Sequence, residues 1–190
     1  MDTNKKIEEL VVELAEDSYD PSKNLEIAVE YEKLGQTASA VGFYLRAAEY
    51  GYDSYPDIVY SSLLRISICM NGQMGRDLTV SNSLLQAIAY RPDRPEAYYL
   101  MSLMYERSGQ WQECYTFAKL AGTYDRQLFD LPVDVGYHSW YSYNFQMAVA
   151  AWWIGRREES FDTFRKLILD ERCPEAYRKS ALDNLNRLDN

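Results

Sequence analysis

Residues 24–51 read NLEIAVEYEKLGQTASAVGFYLRAAEYG, and this stretch decides the fold. Leu25, Ala28, Val29, Tyr31 and Leu34 recur at helical spacing, so one face of a helix is apolar. Gly35 follows, and a glycine there adopts the left-handed conformation that ends a helix without a Cβ penalty. A second periodic run then carries Ala40, Val41, Tyr44, Ala47 and Ala48. Two amphipathic helices joined by so short a turn pack antiparallel.

The same pattern returns downstream. Residues 97–122 read AYYLMSLMYERSGQWQECYTFAKLAG, with Gly109 in the turn. Tyr31 and Tyr105 each stand four residues before their glycine, and Ala47 and Ala121 each stand twelve after it. A further copy spans Tyr141 to Leu169 around Gly155, with Ala148 before the turn and Phe164 after it. A more degenerate copy surrounds Gly75, with Ala87 twelve residues beyond and Pro92 closing its second helix. There Asn71 replaces the bulky first-helix residue and Ile68 the small one. Small residues otherwise recur at Ala28, Ser102 and Ala148 in first helices and at Ala40, Cys114 and Ser160 in second helices.

This pattern resembles the tetratricopeptide repeat. Gly75 to Gly109 is 34 positions, the period of that family, whereas Gly35–Gly75 (40) and Gly109–Gly155 (46) carry insertions. The expected fold is all-α: a right-handed α-α superhelix of such helix pairs, with an N-terminal helix and a C-terminal capping helix. Helices are predicted at 4–17, 22–34, 37–50, 55–72, 76–90, 95–108, 111–124, 138–154, 157–170 and 175–188. They form one domain over 1–190, with repeats at about 21–54, 55–94, 95–126 and 138–172. Asp20-Pro21, Arg94-Pro95-Glu96 and Pro174 mark helix starts, since proline at the first helical position loses no hydrogen bond. The last helix places Tyr177, Ala181, Leu185 and Leu188 on one face, as a cap over the final repeat requires.

A narrower resemblance lies in RPDRPEAYYLMSLMYERSGQWQECYTFAKLAG (91–122) and LFDLPVDVGYHSWYSYNFQMAVAAWWIGRREESFDTFRKLI (128–168). These runs are similar to the repeat region attached to glycosyltransferases in bacteria and tailed phages, cyanophages especially, over about residues 21–188. The resemblance implies an association with glycan modification or a phage context. It does not imply transferase activity, because the catalytic domain of such proteins has no counterpart in this sequence.

Composition narrows the function classes. Hydrophobic residues make up 47%, enough for a sizeable core. Net charge is −9, which disfavours nucleic acid and anionic membrane surfaces as partners. The acidic excess sits in residues 1–32, which hold ten acidic and three basic side chains, whereas residues 154–190 hold eight of each. That excess reads as the solvated face of a capping helix or as a docking surface for a basic partner. No apolar run is long enough to span a membrane, and acidic residues interrupt any secretory signal near the N-terminus. A cytoplasmic protein is expected, of a bacterium or a phage-infected host, and a virion component assembled there reads alike.

Chemistry finds little support. Cys69, Cys114 and Cys173 are far apart and form no C-x-x-C pair, and His138 is the only histidine. No metal site and no cofactor are therefore expected. A Ser-His-Asp or Cys-His arrangement would have to use His138. The paired carboxylates Glu158/Glu159 and Asp130/Asp134 fit solvated faces or helix N-termini better than glycoside hydrolysis. Gly72-Gln73-Met74-Gly75 lacks the lysine of a phosphate loop, and no Asp-x-Asp motif occurs. The chain reads as a non-enzyme.

What remains is an interaction scaffold whose first helices line a concave face. Leu25, Glu32, Arg65, Cys69, Tyr99, Leu103, Glu106, Ser142, Phe145 and Trp152 point inward in that frame. Arg65, Tyr99, Glu106, Phe145 and Trp152 are the candidate partner-binding residues, because Trp, Tyr and Arg carry much of the energy at interfaces. The partner class is a protein or peptide, including a glycosyltransferase or another phage or bacterial protein, and self-association is compatible with the pattern. Trp140, Tyr141 and Tyr143 are expected to cluster with Trp152 and Trp153, as a stacking surface or as core. The long break at 124–137 reads YDRQLFDLPVDVGY, with Leu128, Phe129, Leu131, Val133 and Val135 partly alternating. It is expected to fold back onto the helices, either covering core or lining a groove.

Overall fold

The computed structural model describes residues 3–73, 75–125 and 130–188. Ten helices occur in them: α1 (Thr3–Leu14), α2 (Pro21–Lys33), α3 (Thr37–Gly51), α4 (Pro56–Asn71), α5 (Asp77–Tyr90), α6 (Glu96–Arg107), α7 (Trp111–Tyr124), α8 (Trp140–Trp153), α9 (Arg157–Leu169) and α10 (Glu175–Leu188). No strand occurs among the described residues. Every end lies within three residues of the sequence reading.

The glycine turns work as expected. Gly35, Gly109 and Gly155 have φ of 70°, 69° and 81°. Gln36 N–H donates to the Tyr31 carbonyl at 3.0 Å and Gly35 N–H to that of Glu32 at 2.9 Å. Gln110, Gly109, Arg156 and Gly155 repeat this pair of bonds. It is the Schellman arrangement, which satisfies two carbonyls that the helix end leaves open. At α2 the Asp20 carboxylate accepts from the Ser22 and Lys23 N–H groups at 2.8 and 3.1 Å, and Pro21 opens the helix. Pro95 and Pro174 instead stand one residue before their helices, a position earlier than the sequence reading placed them.

The degenerate copy differs in its turn. The other three turns have three residues each, at 34–36, 108–110 and 154–156, whereas α4 stops at Asn71 and α5 starts only at Asp77. Gly75 still takes a positive φ of 74°. The second helix keeps its register, since Ala87 is fully buried like Ala47 and Ala121. The first helix ends early, which removes Asn71 and Ile68 from the positions their distance from Gly75 suggested.

Contacts group the chain into two compact units. One comprises Met1–Pro92 with Phe129–Val135, the other Asp93–Leu128 with Gly136–Asn190. The core of the first gathers Leu25, Ala28, Ala40, Tyr44, Ala47 and Ile66, and Leu10 and Leu14 of α1 close over Ile27. In the second, Cys114 and Tyr115 meet Ala150 and Ala151, and Phe164 and Leu167 meet Ala148, Cys173 and Ala181. Small residues set the helix spacing: fully buried Ser160 donates through Oγ to the Ala148 carbonyl at 2.7 Å, which joins α9 directly to the backbone of α8. Tyr177 and Leu185 of α10 pack on this cluster, as a cap should, while the Leu188 side chain lies outside the described residues.

Candidate functional site

In the first unit, α2 and α4 bring together the residues placed inward from sequence. Glu32 sits at the end of α2, one turn before the glycine turn. Arg65 on α4 reaches it with Nη2 2.5 Å from Oε1 and Nε 3.0 Å from Oε2. Tyr44 of α3 donates its hydroxyl to the same Oε2 at 2.7 Å. The pair is half-buried, at 22% and 21% side-chain exposure. Burial and the Glu32 carboxylate raise the Tyr44 phenol well above its ordinary range. Burial works against the Arg65 guanidinium, and the hydrogen bond and charge of Glu32 outweigh it, so the net shift is upward. The Cys69 thiol is pushed up to about 12 by burial and then by Glu32, a shift that disfavours the thiolate.

Arg65 has a further partner. Its Nη1 donates to the Asp134 carbonyl at 2.8 Å. The α7–α8 connection thus returns to this face. Val133 packs on the core cluster that contains Leu25 and Ile66, and Val135 is 4% exposed. The described part of the loop folds back as expected, while Leu128 and Phe129 lie outside the described residues. Beside it a cavity of about 310 Å³ is lined by Lys6, Ser22, Leu25, Glu26, Val29, Glu30, Lys33, Ile58, Pro132 and Val133. Buried Glu30 accepts from Lys6 Nζ at 2.7 Å and from Lys33 Nζ at 2.8 Å. Burial opposes its charge, but the two lysines more than offset this and hold its carboxyl below the usual range. The sequence reading missed this triad. Its signal was Lys33 three residues after Glu30, a neighbouring position on one helix.

In the second unit the candidates disperse. Tyr99 is 7% exposed and lies edge-on to Tyr137, with ring centroids 5.5 Å apart. Phe145 lies edge-on to Phe164 and Tyr177. Both rings are used inside their own unit. Glu106 is half-buried on α6. Trp152 meets Phe161 edge-on at 5.7 Å, with the Arg157 guanidinium 4.8 Å from its centroid. The single aromatic cluster expected on α8 does not form. Trp140 and Tyr141 pack toward Arg172 and Tyr177, Tyr143 packs on Gly122, and Trp153 stacks on Trp111 at 5.2 Å. The reason is length: twelve residues of helix separate the two ends of α8 by about 18 Å.

His138 is exposed ahead of α8. Among the described residues no group of three His, Cys, Asp or Glu side chains could hold a metal ion. Burial pushes the Cys114 thiol up to about 11. No helix of the described residues is long and apolar enough to cross a membrane.

No family model and no curated protein matches the chain. Solved structures do. A structure of MamA shares 16% identity, with a TM-score of 0.64 over 98% of this chain and 90% of that one. PilW, described as a widely conserved type IV pilus biogenesis factor, shares 16% with a TM-score of 0.69 over 92% and 73%. The TPR-like repeats of a putative kinesin light chain from Podosopora anserina share 16% with a TM-score of 0.62 over 88% and 84%. At such identity the likeness shows the fold: tetratricopeptide-like helix pairs.

Proposed function

We propose that this protein is a non-catalytic scaffold that holds a segment of a protein partner on the faces of its first helices. The observation that carries this reading is the Arg65 contact. That face already grips a main-chain carbonyl of a non-helical segment, with an apolar contact alongside. A guanidinium fixed by a carboxylate recognises backbone at little further cost in order, because its rotamer is set beforehand. In the second unit, half-exposed Glu106 and Trp152 are the contacts offered, while Tyr99 and Phe145 are occupied by neighbouring rings. The similarity of residues 91–122 and 128–168 to glycosyltransferase-associated repeats makes such a transferase one candidate partner, tested by co-purification.

Photo-crosslinking tests the scaffold reading. A photoreactive residue at Glu26 or Glu106, on first helices, is expected to yield partner adducts in native extract. The same residue at exposed Arg46 on α3 is expected to yield none. Adducts at Arg46 alone, or equal adducts at all three, would overturn it.

A further inference from the structure

The segment Asp130–Val135 lies in sequence between helices of the second unit, yet its contacts place it in the first. Three things hold it: Val133 packed on the core cluster of the first unit, the buried Val135 side chain, and the Asp134 carbonyl on Arg65. It fits the face incompletely. Pro132 and Val133 form one wall of the 310 Å³ cavity and leave its apolar floor, Leu25, Val29 and Ile58, unfilled. That volume lies in the range of sites that take ligand groups. Lys6 and Lys33 stand at the cavity with Glu30 between them and Glu26 beside it, a charged rim with no net charge next to an apolar floor.

We propose that Asp130–Val135 is an internal occupant of the α2–α4 face, displaced by a partner segment of the same chemistry. This rests on the scaffold reading and specifies the partner's recognition segment. The occupant shows what the face accepts: a non-helical stretch with a proline, an apolar side chain after it, and a main-chain carbonyl at the next residue for Arg65. A partner residue larger than valine at the plug position fills the cavity that Val133 leaves. The face is closed until a segment of that kind competes with the chain's own.

The test uses the whole protein and a fluorescein-labelled peptide of residues 130–136, DLPVDVG. Val133→Asp removes the plug from the internal segment and leaves the receiving face intact. The peptide is expected to bind this variant at least about tenfold more tightly than the wild type, and Arg65→Ala added to it is expected to abolish binding. A peptide with leucine in place of the central valine is expected to bind tighter still. Equal affinity for wild type and V133D, or no binding to a V133D that keeps its helix content, overturns the proposal. Should V133D lose helix content, Val133→Gly removes the same plug without a charge and is read identically. The probe is the chain's own sequence. Failure of the peptide with adducts still formed at Glu26 and Glu106 therefore removes only the displacement, whereas peptide binding without such adducts removes the scaffold reading.

Discussion

Arg65→Met tests the network on which the first unit's inner face depends. Methionine keeps most of the stem's packing and removes the charge. The lost pair with Glu32 is neither exposed nor fully buried, at 22% and 21% exposure. Exposed pairs contribute about 0.5 kcal/mol, and breaking a buried one costs about 3–5 kcal/mol, so about 2 kcal/mol is expected here. Releasing the Asp134 carbonyl adds about 1.5 kcal/mol, the low end for a bond to a charged group. The total, about 3.5 kcal/mol, is to be read by urea unfolding followed by far-ultraviolet circular dichroism. Most of it comes from leaving Glu32 half-buried with Tyr44 as its remaining strong donor. Adding Glu32→Gln to Arg65→Met therefore restores more than half of the loss, because the stranded charge is gone. Hydrogen exchange at residues 133–135 should quicken in both variants, since neither can hold the Asp134 carbonyl. A loss below about 1 kcal/mol, or a double variant no more stable than the single one, refutes the argument that a stranded carboxylate dominates.

Gly109→Ala forces an L side chain into φ 69° and should cost about 1 kcal/mol by thermal melting. Gly122→Ala has an ordinary helical backbone, yet its Cβ would lie 2.8 Å from the Tyr143 ring, so the usual gain of about 1 kcal/mol for alanine in a helix should be absent or reversed. Tyr44, Tyr99 and Tyr137 have folded-state pKa values raised by burial first, and Tyr143 is pushed up to about 12. Their unfolded forms lose the proton near pH ~10, so stability is full below that pH and falls as pH rises through the folded values, and ultraviolet-monitored tyrosine ionisation should coincide with loss of helix. Glu30 has the opposite sign: its folded pKa is depressed, so its contribution is full above the ordinary carboxylate value and is lost as pH falls through the lower folded one. Glu30→Gln should flatten the acid limb of a stability–pH curve, and an unchanged limb counts against the lysine pair.

The helices were legible because three local signals coincide in each repeat: apolar periodicity, a glycine that needs positive φ, and small residues where helices meet. Ala40, Cys114 and Ser160 are all fully buried at the same offset from their glycines. Where one signal failed, the reading slipped. Around Gly75 the glycine is present but the first helix stops four residues before it rather than two, a difference of turn length that no spacing rule exposes. The site was less legible, for a different reason. Glu32, Arg65 and Cys69 do lie together in the first unit, but position on a helix does not say whether a ring faces solvent or a neighbour. Tyr99 and Phe145 had Tyr137, Phe164 and Tyr177 waiting from elements distant in sequence.

The segment at 130–135 was the least legible, because its destination is a matter of balance between small terms. Ordering six residues costs about 6–12 kcal/mol, less for the proline. Burying Val133 and Val135 returns about 3–6 kcal/mol, and a charged hydrogen bond about 1.5–3 kcal/mol. The terms nearly cancel, so no strong apolar pattern was required and none is present in LPVDV beyond alternation. The same near-cancellation is what an internal occupant needs. Held by several kcal/mol more, it would be a permanent part of the core. Held by several less, it would leave Leu25, Val29 and Ile58 open to water. A segment poised between the two covers an apolar face and still yields it to a competitor whose larger side chain fills the remaining cavity.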